Sequence, residues 1–239
     1  LRDIADRHDL RLIEDAAHCV EGARDGARPG TLGDAACYSF YAAKNLTCGE
    51  GGAVATRHDD LHQYLLKARL HGMSKSAADR YSGSYQHWDM ELMGYKSNLS
   101  NLQAALLLPQ LNHLRARQER REAIAQRYEE AFAPLDGVDF PRVPEGCRSA
   151  RHLFTIWVAP EQRDEVLARL QAAEIGVAVN YRAVHLLTWY REHMGFERGQ
   201  FPHAERIGDS TLTLPLYPAL TDPEVDAVID AVRTAVTEG

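Results

Sequence analysis

At 239 residues the chain is long enough for one large or two small domains, and its 45% apolar and 26% charged residues are ordinary for a globular protein. The formal net charge of −7 argues against a nucleic-acid surface, and no apolar stretch approaches the roughly 18 residues of a membrane span. Cys19, Cys37, Cys48 and Cys147 show neither metal-ligand spacing nor a disulfide framework, and no signal peptide opens the chain, so the composition fits a soluble cytosolic enzyme.

The predicted elements alternate. An amphipathic helix over residues 1–8 leads to a short buried strand over 10–14, which ends in Glu14 and Asp15. Gly22, Gly26, Pro29, Gly30 and Gly33 mark a turn-rich connection. A strand over 35–41 follows, with Cys37 as a small core residue. A hairpin-like turn over 49–52 leads to a strand over 53–56, and Asp59 or Asp60 caps a helix that runs to about residue 71. Residues 72–98 have no clear period, and so long a loop inside a domain points to function, its alternative being a mobile surface loop. Ser100-Asn101-Leu102-Gln103 has the capping-box pattern and starts a long helix, which Pro109 kinks or divides. Beyond it Leu111, Leu114, Ile124, Tyr128 and Phe132 share one side, while the charged run over 115–122 is a solvated face with opposite charges in helical reach.

A boundary near 134–144 divides the chain into residues 1–133 and a smaller α+β unit over 134–239. The second part begins with a strand over 152–158 and a helix over 162–174 with Val166, Leu167 and Leu170 inward, closed by Gly176. Strands over 177–181 and 211–214 follow. Thr221-Asp222-Pro223-Glu224 opens the last helix with a cap and a first-turn proline.

One run carries the chemistry: Ser39-Phe40-Tyr41-Ala42-Ala43-Lys44-Asn45-Leu46-Thr47-Cys48-Gly49-Glu50-Gly51-Gly52. An apolar, aromatic stretch ends in one lysine, and a glycine-rich turn follows. Withholding water from an ammonium penalises its charged form and favours the nucleophilic amine. Such an amine suits carbonyl condensation with pyridoxal phosphate; the alternative is a solvated lysine at a strand end. Ser39 offers a hydroxyl for a phosphate. Asp15, at the end of its strand, points to the crevice where α/β proteins bind ligands, and a carboxylate there can pair with a protonated pyridine nitrogen. Alone, Asp15 would be a helix cap or a surface charge. Together, Asp15, Ser39 and Lys44 form a constellation.

The segments Ile13-Glu14-Asp15-Ala16-Ala17-His18, Gly33-Asp34, Ser39 through Lys44 and Gly49-Glu50-Gly51-Gly52 resemble those of the DegT/DnrJ/EryC1/StrS sugar aminotransferases. The resemblance continues through Gly94-Tyr95-Lys96-Ser97-Asn98-Leu99-Ser100, Asn180-Tyr181-Arg182-Ala183-Val184-His185 and Phe201-Pro202-His203-Ala204-Glu205. It implies an α/β, aspartate-aminotransferase-like fold of type I: part of a three-layer large domain, with a small C-terminal α+β domain. It implies pyridoxal 5'-phosphate as cofactor, and it implies roles by position. Lys44 matches the lysine that condenses with the cofactor and shuttles the proton. Asp15 matches the aspartate on the pyridinium nitrogen, His18 the residue against the ring, and Ser39 the serine on the phosphate. Asn98 matches a residue that reaches the partner subunit's phosphate across a homodimer interface. His185 matches a histidine near the sugar-nucleotide substrate, its alternative being a core or surface histidine.

The implied reaction is transamination of a UDP- or dTDP-linked 4-keto-sugar with glutamate as donor, for amino-sugar or cell-surface polysaccharide synthesis, with no nucleic acid and no membrane as partner. The nearest branch makes UDP-4-amino-4-deoxy-L-arabinose. A sister branch that dehydrates carries histidine at the lysine position, and Lys44 argues against it. Family members are longer, the excess lying before Leu1. The chain is therefore expected to be the C-terminal portion of such an enzyme, without the glycine/threonine turn and the ring-stacking residue that complete the cofactor cradle. The rival readings are a non-catalytic binding module and a fragment that a partner chain completes.

Overall fold

In the computed structural model, which describes residues 1–74 and 87–237, helix α1 (Arg2–Arg7) precedes strand β1 (Ile13–Asp15). β1 runs parallel to β3 (Ala35–Ser39), with Ile13 opposite Ala35 and Asp15 opposite Cys37. β4 (Gly52–Thr56) lies antiparallel on the other edge of β3. The short β2 (Ala23–Arg24) pairs with β5 (Cys147–Arg148), a strand distant in sequence. The chain divides into two units accordingly: Leu1–Leu114 with Gly146–Ala150, and Arg115–Glu145 with Arg151–Gly239.

Strand alternation sorts the first sheet. Asp15, Cys37 and Ser39 share one face. On the other face, Glu14 Oε1 accepts hydrogen bonds from the Gly30 and Gly33 amides (3.0 and 2.7 Å), and the Tyr38 hydroxyl donates to the Pro29 carbonyl (2.7 Å). The glycine-rich connection is thereby tied down behind the sheet. Gly30 has φ +88°, and a Cβ there would come within 3.2 Å of the Tyr38 hydroxyl, so glycine is required.

Asp34 is the polar anchor of this unit. Its buried carboxylate accepts from the Leu12 amide (2.7 Å) and Arg2 Nη1 (3.1 Å), and lies 3.0 Å from His58 Nε2. The Leu12 amide, then Arg2 and His58, hold it far below the ordinary carboxylate range. A depressed carboxylate stabilises the fold above its unfolded value and loses that stabilisation as the pH falls. Asp34→Asn should therefore unfold at lower urea than wild type at pH 7, and should lose less further stability between about pH 4 and pH 2.

Helix α2 (Asp59–Ala68) starts after His58, with Asp59 and Asp60 in its first turn and no side-chain cap. The carboxylates favour the helix N-terminus from inside it, so the expected cap is replaced by a dipole interaction. The Tyr95 and Ser97 amides donate to the Ala68 and Arg69 carbonyls, closing the end of α2. The loop read over 72–98 lies partly outside the described residues, which resume at 87. Helix α3 (Asn101–Leu111) has the expected capping box between Ser100 and Gln103. It runs through Pro109 and stops at Asn112, close to the expected break.

The second unit is built on α4 (Leu114–Phe132), whose Ile124, Ala125, Tyr128 and Phe132 are fully buried. Sequence reading divided the chain at 134, whereas the compact units part at 114; the apolar face of α4 packs into the core of the second unit. β6 (Phe154–Trp157) and β7 (Thr211–Leu214) pair antiparallel. Helices α5 (Arg163–Ala172) and α8 (Asp222–Thr237) enclose them, with α6 (Thr188–Met194) and α7 (Pro202–Ser210) between the two in sequence, and α8 buries Val225, Val228, Ile229 and Val232 at helical spacing. α8 starts with reciprocal bonds between Thr221 and Glu224.

Four expectations need correction. β1 is not buried: Ile13 is 66% exposed, because the sheet face that it shares with Asp15 and Cys37 is uncovered among the described residues. Cys37, on the same open face, is exposed and is not a core residue. Residues 177–181 form one bridge, Ala178 to Thr213, in place of a strand. The run over 115–122 is not wholly solvated, since Gln118 and Arg121 are buried.

Glu122 and Glu129 on α4 also converge on buried Arg151, with three N–O distances of 2.8–3.0 Å. Arg151→Ala should destabilise this unit by about 2–3 kcal/mol in urea unfolding, less than for a fully buried pair because the carboxylates keep some contact with water. Arg151→Lys should recover little, since one ammonium cannot replace the planar fork.

Candidate active site

Lys44 leaves the end of β3 on an irregular turn. The Tyr41 amide donates to Ser39 Oγ (3.3 Å), the Lys44 amide to the Tyr41 carbonyl (2.9 Å), and the Cys48 amide to the Phe40 carbonyl (3.0 Å). Leu46 and Cys48 anchor the turn in a small apolar cluster with Leu107, Phe40, Val20 and Leu99. Cys48 is thus a packing residue.

Lys44 is half-buried, and its Nζ makes no hydrogen bond or ion pair among the described residues. Asp15 Oδ1 accepts from the Ala17 amide (3.0 Å), which turns the chain after β1; Oδ2 has no partner among the described residues. His18 stands on that turn within electrostatic reach of both. Partial burial, then the Lys44 cation, push its imidazole below the ordinary histidine range, and Asp15 offsets this only in part. His18 is therefore neutral at pH 7. Ser39 lies on the Asp15 face, two residues beyond Cys37, the ladder partner of Asp15.

The other two candidates have partners of their own. Asn98, exposed before α3, accepts a hydrogen bond from Lys96 Nζ. His185 belongs to the second unit and is 7% exposed. Its Nε2 lies 3.0 Å from Glu205 Oε1, and the rings of Phe196 and Phe201 flank it. Glu205, on helix α7 (Pro202–Ser210), also accepts from the Gly199 and Phe201 amides. Burial opposes its ionisation, but these amides and His185 outweigh it and keep the carboxylate below its ordinary range. Glu205 was within a quoted segment, yet only the fold reveals it as the partner of His185.

Sequence reading also missed three residues around the lysine turn. Asn45 Nδ2 donates to Glu21 Oε2 (3.2 Å) and to the Ala150 carbonyl (2.8 Å). Gln110 on α3 exchanges two bonds with the backbone of Thr47 (3.3 and 2.7 Å). Only the position of Asn45 beside Lys44 signalled any of this.

An amine, a carboxylate and a hydroxyl at the carboxyl ends of two parallel strands fit the aldehyde, the ring nitrogen and the phosphate of pyridoxal phosphate. Among the described residues no group of His, Cys, Asp and Glu could hold a metal ion, and no helix is long and apolar enough to cross a membrane.

The fold is that of part of a type I pyridoxal-phosphate-dependent aminotransferase. It superposes on S. venezuelae DesV with a TM-score of 0.87 at 36% identity, over 99% of this chain and 60% of that one. The family model of the DegT/DnrJ/EryC1/StrS aminotransferase family matches residues 1–233, and the chain belongs to that family. It is 41% identical to the spore coat polysaccharide biosynthesis protein SpsC of Bacillus subtilis, over 98% of this chain and 61% of the relative. It is 35% identical to the dTDP-3-amino-3,4,6-trideoxy-alpha-D-glucose transaminase of Micromonospora megalomicea subsp. nigra, over 99% of this chain and 62% of the relative. The chain thus spans about three fifths of the length of the curated relatives it matches.

Proposed function

We propose that the protein acts in a pyridoxal-phosphate-dependent aminotransferase that moves nitrogen from glutamate to a nucleotide-linked 4-keto-sugar. The observation that carries this reading is Lys44: half-buried, without an ion pair among the described residues, and grouped with His18 and Asp15. The names of the relatives support a sugar as acceptor, and SpsC supports a cell-surface polysaccharide as the end use.

Pyridoxal phosphate, when bound, supplies the aldehyde and the electron-withdrawing ring. The Asp15 oxygen that has no partner among the described residues would hold the ring nitrogen protonated. Lys44 Nζ would hold the cofactor's carbonyl carbon and, once released, would accept and return a proton. His18 would stand beside the ring without adding a second cation. Ser39 Oγ would take a phosphate oxygen. Asn98 reaches the partner subunit's phosphate in a cytosolic homodimer, and His185 serves the sugar-nucleotide side.

Borohydride reduction in the presence of pyridoxal phosphate, followed by peptide mass mapping, tests the reading. Label on Lys44 is the expected result. A folded protein labelled elsewhere, or not at all, rejects it.

A further inference from the structure

Residues 42–50 form no helix or strand, so the aim of Lys44 depends on what holds that turn. We propose that Asn45 and Glu21 are a positioning pair for Lys44, an inference that rests on the function proposed above.

The observation is where Asn45 attaches. β2 and β5 pair with Ala23 opposite Arg148 and Arg24 opposite Cys147. Continuing that register by two residues sets Glu21 opposite Ala150. The Asn45 amide donates to both, at 3.2 and 2.8 Å, and so closes the end of the ladder. Arg148 Nε in turn donates to the Glu21 carbonyl (3.1 Å), bracing the same two limbs. Ala150 is 4% exposed, so its carbonyl has little access to water in place of the amide. The bond to Glu21 is charge-assisted and directional.

The turn is held at two further points. Leu46 is buried at 3% exposure, and Thr47 is doubly bonded to Gln110. These fix the part of the turn that follows the lysine. Asn45 is the polar tie next to the lysine itself, and it fastens that part to a ladder whose second strand is about a hundred residues away in sequence. Lysine has a flexible four-carbon stem. A backbone anchored at its base narrows the positions Nζ samples, and a misplacement of about 1 Å can cost about 100-fold in rate.

The test is a set of variants of the purified protein: Asn45→Ala, Glu21→Ala, Glu21→Gln and the Asn45→Ala/Glu21→Ala double. Three quantities are read: the rate at which Lys44 is labelled by pyridoxal phosphate and borohydride, turnover per bound cofactor, and the melting midpoint. Asn45→Ala should lower labelling rate and kcat about 10- to 100-fold, with cofactor Kd and sugar KM changed no more than about threefold and a melting midpoint within a few degrees of wild type. Glu21→Gln keeps an acceptor oxygen and should stay near wild type. The double variant should be little worse than Asn45→Ala, since both lose the same tie.

Unchanged labelling and turnover in Asn45→Ala, or losses that only track an unfolded fraction, overturn this inference alone. If Asn45→Ala does not fold, Glu21→Ala against Glu21→Gln decides: equal rates for the two overturn it. A folded wild-type protein without label on Lys44 overturns the aminotransferase reading, and the positioning role with it.

Discussion

Lys44→Ala should abolish turnover, with a loss on the order of 10⁴-fold or more, while the protein keeps its fold. The residue combines two tasks in the proposed reaction, attack on the cofactor carbonyl and proton transfer to carbon, so no neighbour takes over by a small adjustment. His18 lies within electrostatic reach of Lys44, and its neutrality at pH 7 gives it a lone pair. It lies on another turn, however, and is fixed there by the chain direction that Asp15 sets after β1. Lys44→Arg is the sharper control. It keeps charge and approximate length but presents a guanidinium that does not lose its proton near neutrality. It should therefore be as inactive as the alanine variant. Folding is spared because Nζ has no bond to lose among the described residues, and the turn hangs on Leu46, Asn45 and Thr47. Steady-state rates, with circular dichroism as the folding check, decide the matter. Residual turnover above about 1% of wild type in Lys44→Ala would contradict a direct role.

The parts of this site that were legible in the sequence are those encoded locally. A strand that ends in Glu14-Asp15, a strand that ends in Ser39, and a lysine followed by Gly49-Glu50-Gly51-Gly52 each carry their own signal within a few residues. Parallel pairing of β1 and β3 then sets Asp15 and Ser39 on one face by register. Burial was less legible. Ile13 has the composition of a core strand yet is largely exposed, because exposure depends on what covers a face and not on the letters of the strand. The same reasoning exposes Cys37. Helix α4 shows the converse: Gln118 and Arg121 look solvated in sequence, but they continue the buried stripe of Ala125, Tyr128 and Phe132 at helical spacing. The ties of Asn45 were invisible for a third reason. They depend on a two-residue pairing between β2 and β5 that leaves no hydrophobic period to detect.

Asp15→Asn should reduce kcat on the order of 10²- to 10³-fold, and it tests a different element of the chemistry. The side chain keeps its shape, and its oxygen can still accept from the Ala17 amide, so the turn that carries His18 survives. What it loses is the negative charge that the proposed reaction sets against the ring nitrogen. Without that charge the nitrogen gives up its proton more readily, and the ring withdraws electrons less well in the step where Lys44 moves the proton. The loss should therefore fall on kcat more than on the KM of either substrate. Asp15→Asn also removes the counter-charge that partly offsets Lys44 at His18, so the histidine should titrate at still lower pH, a shift that NMR of the imidazole can follow. Asp15→Glu retains the charge on a longer arm and should fall between wild type and Asp15→Asn. If Asp15→Asn instead turns over at the wild-type rate, Asp15 only caps the turn after β1, and the anion for the ring must come from elsewhere.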